Sequence, residues 1–545
     1  MITNNYKISG NIVDVVAKRI FKGIITVENQ KIISIVENQD VENQYIIPGL
    51  IDSHVHIESS MIIPSEFARL AVIHGTVATV SDPHEIGNVL GMNGVNFMIE
   101  NGRKVPFKFF FGAPSCVPAT PFETSGASID INDIEKLLSN PEVKYLSEMM
   151  NFPGVLFEDT DVMNKLAIAR KYKKPIDGHA PGLKGEDARK YVKAGITTDH
   201  ECFTTDEAID KINGGMKIQI REGSAAKNFS ALIDLLSTHP DEVMFCSDDK
   251  HPNDLMDGHI NKLIIRSLKL GYDLISVLRA CTYIPVKHYN LEVGLLQNGD
   301  FADFIVIDNT EDFNILATFI NGEKVAENGN SLIKSVSELS PNSFHADKIS
   351  TNDIAVPFTG KKIKVIKALE GQLITEKIII FPKHDSQNIL SDVENDVLKI
   401  VVMNRYQKSK PAVAFIKGFN LKKGALASTV AHDSHNIIAI GTNDEDMVSA
   451  INLLIESKGG ISIANKSEKY HLPLTVAGLM SNEDGFEVAQ KYDFMDKKAK
   501  ELGSGLQAPF MTLSFMALLV IPELKLSDKG LFDGNTFNFT TLEQI

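Results

Sequence analysis

Short apolar runs alternate with amphipathic stretches between residues 45 and 281. The runs are rich in β-branched and aromatic residues, which is typical of strands, and the stretches between them carry apolar residues at helical spacing. The predicted strands are 45–56, 76–81, 107–111, 143–147, 175–179, 196–200, 216–220 and 243–247. The predicted helices between them include 64–74, 131–139, 162–172, 186–193 and 231–237.

Eight strand-then-helix units of this length predict an α/β fold, a (β/α)8 TIM-like barrel over residues 48–289. The alternative is an open doubly wound sheet, which would need a glycine-rich phosphate loop or another crevice signal. No Gly-x-Gly-x-x-Gly motif follows the first predicted strand. The pattern therefore favours the barrel.

Both flanks of this region are predicted to be strands. Residues 24–29 and 31–36 resemble a hairpin, and residues 315–320 and 323–326 form a second one around the Asn321-Gly322 turn. We expect the two flanks, residues 1–47 plus 290–330, to form one composite β-sandwich domain. The polar segment 329–350 then reads as a linker.

The remaining residues, 350–545, predict an additional C-terminal α/β domain. One helix is predicted at 446–457. The predicted strands are 362–368, 377–381, 397–402, 412–415 and 437–442. The most notable feature of this domain is the motif AHDSHN at residues 431–436, in which His432 and His435 have either a lid or active-site role or a local structural one.

Composition narrows the class of function. The chain has 545 residues, 43% hydrophobic and 23% charged, with a net charge of −15 and no run of lysine and arginine. This argues against nucleic acid or an anionic membrane as a main partner. No signal-peptide pattern and no apolar run long enough for a membrane span is found, so we expect a cytoplasmic protein. A homo-oligomer is left open.

The four cysteines, Cys116, Cys202, Cys246 and Cys281, are widely spaced. This spacing argues against a disulfide framework or a thiolate zinc site, and we expect small buried side chains.

Polar residues recur where the predicted strands end. In a barrel these strand ends share one face, the face on which active sites are built. The residues concerned are His54 and His56, His84 and Glu85, Glu148, His179, His200, Arg221 and Glu222, and Asp248 and Asp249.

Part of this set is typical of a metal centre. His54 and His56 are two residues apart, so a strand directs both imidazoles to the same side. Four histidines, one glutamate and one aspartate form a nitrogen and oxygen ligand set that suits Zn, Mn or Fe(II). Six ligands are too many for one tetrahedral ion but enough for two, with Glu148 as the bridge and His179 and His200 on the second ion. Two such ions can share a hydroxide, and Asp248 beside it can take its proton, so hydrolysis is the expected reaction.

The same residues are also compatible with purely structural roles. Glu148 could form an ion pair or a helix cap, and Asp248 could cap the following helix. His179 and His200 could cap loops, and His54 with His56 could be exposed strand residues. His84, Arg221 and Glu222 are predicted as substrate contacts, against turn or second-layer roles.

Four blocks resemble a known family: PGLIDSHVHIESSM at 48–61, DPHEIGNV at 82–89, SEMMNFPGV at 147–155 and DGHAPG at 177–182. They resemble the amidohydrolase superfamily and, within it, the bacterial adenine deaminase family; the block at 431–436 is similar to that family's extra domain. Many members of the superfamily have a carboxylated lysine where this chain has Glu148, and a glutamate there is similar to this deaminase family.

The resemblance implies hydrolysis of adenine to hypoxanthine and ammonia in purine salvage, with adenine and water as the small-molecule partners. It implies two divalent ions per chain, Mn²⁺ or Fe²⁺, with Zn²⁺ as an alternative. Asp248 would be the base, and Glu85 is our choice of acid for a ring nitrogen. The rival hypotheses are a cyclic amide hydrolase, similar to dihydroorotases or hydantoinases, and an inactive metal-binding scaffold.

Overall fold

The N-terminal segment forms the predicted strands. The structure is a computed structural model and describes residues 5–544. Its first strands are β1 (Tyr6–Asp14), β2 (Arg19–Glu28), β3 (Lys31–Glu37) and β4 (Tyr45–Pro48). Strands β2 and β3 pair antiparallel, with Ile25 opposite Ile35, so the first predicted hairpin is confirmed.

The predicted strand 45–56 is two strands, which corrects the prediction. It breaks at Gly49, after which β5 (Leu50–Val55) begins. Strand β4 pairs with β1, whereas β5 pairs with a strand of the central region. A Cβ on residue 49 would lie 2.4 Å from Val77 Cγ2, so only glycine fits where the chain passes from one sheet to the other.

The central region alternates strands and helices. Its further strands are β6 (Thr76–Ser81), β7 (Lys108–Phe111), β8 (Leu146–Met149), β9 (Ile176–Gly178), β10 (Thr198–Asp199), β11 (Lys217–Arg221) and β12 (Val243–Cys246). Its helices are α1 (Pro64–Val72), α2 (His84–Leu90), α3 (Met92–Gly102), α4 (Ile131–Ser139), α5 (Phe152–Leu156), α6 (Thr160–Lys171), α7 (Gly185–Lys193), α8 (Thr205–Asn213), α9 (Phe229–Leu232), α10 (Leu235–Thr238), α11 (Pro252–Asp257), α12 (Ile260–Lys269), α13 (Leu274–Ala280) and α14 (Tyr283–Tyr289). The single helix predicted at 231–237 is therefore two short helices.

The central strands are parallel and adjacent in chain order. They pair as β5-β6-β7, β8-β9 and β10-β11-β12. Ala113 bridges to Leu146, and the Thr197 N–H donates to Ile176 O at 2.8 Å, which links the three groups. The last strand lies beside the first, because the Asp248 N–H donates to His54 O at 2.9 Å. The carboxyl ends of all eight strands therefore lie at one face.

The second flank joins the first. Its strands are β13 (Phe304–Ile307), β14 (Ile315–Ile320), β15 (Glu323–Glu327) and β16 (Asn330–Ser331). Strand β13 pairs with β4, giving one eight-stranded sheet in the order β16-β15-β14-β13-β4-β1-β2-β3. Strands β14 and β15 form the predicted Asn-Gly hairpin. Ile25 and Phe319, from opposite halves of the sheet, share one apolar cluster, so this single sheet folds over its own core.

The C-terminal part contains a second eight-stranded sheet, ordered β18-β17-β20-β19-β22-β21-β23-β24, and a small three-stranded one. The strands are β17 (Ile363–Ala368), β18 (Thr375–Ile380), β19 (Leu398–Met403), β20 (Ala412–Lys417), β21 (Ala425–Ser428), β22 (Ile437–Gly441), β23 (Gly460–Asn465), β24 (Glu468–Pro473), β25 (Leu524–Ser527), β26 (Gly530–Asp533) and β27 (Asn538–Phe539). The helices are α15 (Asp444–Ser457), α16 (Gly485–Glu501) and α17 (Pro509–Ser514). The five predicted strands are confirmed; the other six were not predicted.

The C-terminal part packs against the strand-end face of the central region. Arg69 of α1 forms an ion pair with Asp484 at 2.7 Å, and Asn436 Nδ2 donates to Thr124 O at 2.9 Å. The four cysteines are buried and unpaired, as predicted. Within residues 5–544, none of the helices has the length and apolar character needed to cross a membrane.

Candidate active site

The six side chains predicted as metal ligands lie together at the carboxyl ends of the central strands. His54 Nε2 and His56 Nε2 lie 3.5 and 3.3 Å from the same atom, Asp248 Oδ1. The rings of His54 and His200 stack with their centroids 4.1 Å apart. All six are buried: His54, His56, Glu148, His179, His200 and Asp248.

Glu148 lies between two groups of these ligands. Its Oε1 is 3.4 Å from His56 Nε2. Its Oε2 is 2.7 Å from His179 Nδ1 and 3.2 Å from His200 Nε2. Each carboxylate oxygen thus faces a different set of imidazoles, which is the arrangement a carboxylate needs to bridge two ions.

A buried aspartate fixes the strand that carries His54 and His56. Asp52 Oδ1 accepts hydrogen bonds from the backbone N–H groups of His54 at 3.3 Å and Ser247 at 3.0 Å. His259 Nε2 lies 2.8 Å from Asp52 Oδ2. Because Ser247 follows the last strand, this carboxylate ties the ends of β5 and β12 together and sets the distance from His54 to Asp248.

The donor set fits divalent metal ions. Neither ring nitrogen of His54 has a hydrogen-bond partner among the described residues, and the same holds for His179 Nε2 and His200 Nδ1. A buried polar group without a partner costs about 1–3 kcal/mol, which metal coordination would offset. Two groups whose ligand atoms lie within 4.8 Å of one another are His54, His56 and Asp248, and His54, Glu148 and His200. Imidazole and carboxylate donors without thiolates suit Mn, Fe(II) or Zn.

Asp248 is held as a carboxylate. Arg221 Nη1 donates to Asp248 Oδ2 at 2.6 Å, and Arg221 also forms a two-pronged ion pair with Glu201. Burial raises the pKa of Asp248, but the Arg221 charge and the nearby imidazoles of His54 and His56 outweigh burial and hold that pKa well below its usual range. Asp248 can therefore accept a proton.

His84 lies at the edge of the ligand cluster. It is the first residue of α2, and its Nδ1 is 3.1 Å from Asp82 Oδ2 and 3.6 Å from Glu148 Oε1. Its Nε2 is 3.8 Å from Asp433 Oδ1, which belongs to the C-terminal part. His84 therefore connects the ligand cluster to the C-terminal loop.

A C-terminal loop between β21 and β22 completes the site. His432 Nδ1 and His435 Nε2 each bond to a different oxygen of Glu85. His435 Nδ1 accepts the Ala431 N–H at 3.2 Å, so the ring proton of His435 resides on Nε2 and points at Glu85. The His432 ring stacks on Phe515, with centroids 4.9 Å apart. The role of this loop, left open by the sequence, is thus a contact with Glu85.

The cavity above the ligands is narrow. It has a volume of about 30 Å³, room for a few water molecules. Its C-terminal wall consists of Leu373, His432, Asp433, Phe515 and Leu518. Lys525 Nζ holds two of these segments, donating to Leu373 O at 2.6 Å and Phe515 O at 2.9 Å.

The three predicted substrate contacts differ in position. His84 and Arg221 line the cavity. Glu222 instead lies on the wall of a separate surface depression, where its Oε1 is 3.0 Å from Arg266 Nη1. Adjacent strand residues point to opposite sides, so Arg221 facing the cavity turns Glu222 away from it.

Two charged residues of the central region that support the site, Glu201 and Asp82, were not predicted. Glu201 holds Arg221 and lies 3.6 Å from His200 Nε2, and Asp82 contacts His84. A signal was present for both: Glu201 directly follows a predicted ligand, as Glu85 follows His84, and Asp82 ends the turn after the second strand.

Comparisons with known proteins agree with this architecture. A model of the amidohydrolase family matches residues 45–325, and one of the adenine deaminase C-terminal domain matches residues 372–538. A Methanosarcina mazei protein named adenine deaminase is 54% identical, over 98% of this chain and 99% of its own. Proteins of that name from a Sulfurovum species and from Salinibacter ruber are 54% and 50% identical, each over 98% of this chain and covering 99% and 98% of their own lengths.

Proposed function

The chain belongs to the adenine deaminase family within the amidohydrolases, and we propose that it hydrolyses adenine to hypoxanthine and ammonia in purine salvage. The observation that carries this proposal is similarity along nearly the whole chain, C-terminal domain included, to proteins named adenine deaminase. The buried histidine and carboxylate cluster supports it, because hydrolysis of a ring C–N bond needs an activated water.

The fold assignment is part of the proposal. Eight parallel strands in chain order, with the last beside the first, support a (β/α)8 barrel over residues 48–289. The composite β domain would comprise residues 1–47 plus 290–330, and the C-terminal α/β domain residues 350–545. In this division the six ligands would lie on the barrel and the opposing wall on the C-terminal domain.

Two divalent ions are proposed for the ligand cluster, Mn²⁺ or Fe²⁺, with Zn²⁺ as the alternative. His54, His56 and Asp248 would hold one and His179 and His200 the other, with Glu148 shared between them. When bound, such a pair supplies Lewis-acid activation of water at neutral pH.

The residues of the chain move the protons. Asp248 would take a proton from the water that attacks C6 and return it to the leaving amino group. Arg221 would hold Asp248 in place rather than contact the substrate, since its guanidinium is occupied by Asp248 and Glu201. His84, which lines the cavity, is the proposed substrate contact, and Glu222 has no part in this proposal.

The test is an ultraviolet assay of adenine conversion by manganese-loaded protein, with ammonia measured in parallel. Adenosine and guanine are the control substrates. Stoichiometric hypoxanthine and ammonia, with about two ions per chain, are the expected results. Ring opening of a hydantoin or dihydropyrimidine without adenine turnover would favour a cyclic amide hydrolase, and bound metal with neither activity would favour a scaffold.

A further inference from the structure

We propose that His432, supplied by the C-terminal domain, is the catalytic residue that protonates the purine ring, and that Glu85 is the carboxylate that orients it. This inference rests on the proposed deamination. It reverses the role first predicted for Glu85, from proton donor to positioning residue.

The geometry leaves one ring nitrogen of His432, Nε2, available to donate a proton. Its Nδ1 is bonded to Glu85 Oε1, while its Nε2 is buried and has no hydrogen-bond partner among the described residues. The residue is only 2% exposed and lines the same cavity as Asp248 and His84. A buried ring nitrogen without a partner, facing the cavity, is positioned to give a proton to a bound ring.

The surroundings hold His432 in one orientation. Its ring stacks on Phe515. The second oxygen of Glu85 is occupied by His435, whose own tautomer is fixed by the Ala431 N–H. A carboxylate that is bonded to one ring nitrogen of a histidine fixes the other nitrogen toward the substrate, as in other nucleophile and acid–base sites.

The charges around His432 place the proton on it rather than on Glu85. Burial lowers the pKa of His432, but the carboxylates of Glu85, Asp249 and Asp433 raise it to about 9. Burial lowers the pKa values of the neighbouring His435 and His251, and the charge of His432 lowers them further. Burial raises the pKa of Glu85, but His432, His435 and His84 outweigh it and hold that pKa well below its usual range. At neutral pH Glu85 is therefore an acceptor, and His432 carries a transferable proton.

The proton and bond changes balance. The water oxygen bonds to C6 as one water proton passes to Asp248, and the His432 Nε2 proton passes to the ring nitrogen next to C6, where it stays in hypoxanthine. The second water proton leaves as the C6–O bond becomes a carbonyl. The C6–N bond then breaks with its electron pair on nitrogen. One water proton completes ammonia and the other restores His432, so adenine and water give hypoxanthine and ammonia.

The test compares H432N with wild type on adenine and on 6-chloropurine, whose chloride leaves without a proton. Asparagine keeps an amide near the Nδ1 position and so retains the contact with Glu85, but it has no acid. We expect kcat to fall ~10²–10⁴-fold on both substrates, with KM and metal content retained, because the ring nitrogen must be protonated whichever group leaves C6. The decline of wild-type kcat/KM above about pH 9 should be lost in H432N.

A loss confined to adenine, which would place the acid at the leaving amino group, or wild-type rates for H432N, would overturn the proposal. H384N is the matched control, because His384 is an exposed histidine of the same domain. In an E85Q background the further cost of H432N should shrink, since the two residues act as a unit; fully additive losses would contradict the pairing. If wild-type protein with bound metal releases no ammonia from adenine, the proposed function itself fails, which is a separate result from an active wild type with an unaffected H432N.

Discussion

Replacing Lys211 with methionine should weaken both the fold and the metal centre. Lys211 lies on α8 with no exposed surface, and its Nζ is 2.9 Å from Asp199 Oδ2, 2.9 Å from Glu207 Oε1 and 2.7 Å from Ala180 O. Asp199 also accepts the N–H groups of Ala180 and Glu201. The lysine thus ties together the two chain segments that carry His179 and His200.

The expected loss of stability follows from the two buried carboxylates that the substitution leaves without a cation. Lys211→Met removes the cation shared by two buried carboxylates, and breaking a buried ion pair in this way costs about 3–5 kcal/mol of unfolding free energy. The two segments that carry His179 and His200 would also lose the lysine that connects them. Removing the supports behind metal ligands typically lowers metal affinity about 10–100-fold.

Urea unfolding of the metal-loaded protein and a manganese titration of the apoprotein would measure the two effects. Lys190→Met is the control, because Lys190 is exposed and its Nζ is 4.0 Å from Asp187, so a change below about 0.5 kcal/mol is expected. Adding D199N and E207Q to K211M should restore part of the stability, since no buried charge then lacks a partner. If the unfolding free energy of K211M lies within about 1 kcal/mol of the wild-type value, the buried charge network does not stabilise the segments that carry His179 and His200.

Three further outcomes are expected. Asp248→Asn should lower kcat by ~10²–10⁴-fold with most of the metal retained, and wild-type rates would overturn its role as base. Glu148→Gln should reduce bound metal below two ions per chain, measured by elemental analysis. Two ions per chain in this variant would contradict the proposal that Glu148 is shared between the ions. Burial lowers the pKa of Lys525 to about 7. Between that pH and the ordinary lysine pKa near 10, the unfolded chain binds a proton that the folded chain does not. The free energy of unfolding therefore rises with pH over this range. The urea midpoint of Lys525→Met should therefore rise less than that of wild type between about pH 7 and 9.5, and parallel slopes would contradict a neutral buried lysine.

The local sequence pattern was sufficient to predict the strands of the central region and the position of the ligand cluster. All eight strands of the central region were predicted, because apolar, β-branched runs were separated by helical spacing. Their ends located the ligand cluster, since parallel strands place their carboxyl ends together. The break at Gly49 was missed because the apolar run continues through it; the close approach of Val77 that requires glycine is a tertiary contact.

The sequence pattern could not predict the contacts between the central region and the C-terminal part. His432 meets Glu85 across 347 residues of sequence, and nothing in the spacing of either motif predicts which surfaces dock. Strand β21 was missed because its segment, Ala425–Ser428, is short and has no β-branched residue. Glu222 was predicted as a substrate contact from its place at a strand end, yet it faces Arg266 outside the cavity.

The cavity wall that includes Phe515 lies downstream of all six ligand residues in the sequence. A nascent polypeptide emerging from the ribosome would have all six ligand residues long before His432, and His432 before Phe515 and Lys525. Premature termination between His435 and Phe515 would thus leave a product with its ligand residues intact and its enclosure unfinished. Nonsense alleles that remove Phe515 are accordingly expected to cause loss of function even though they preserve every ligand residue.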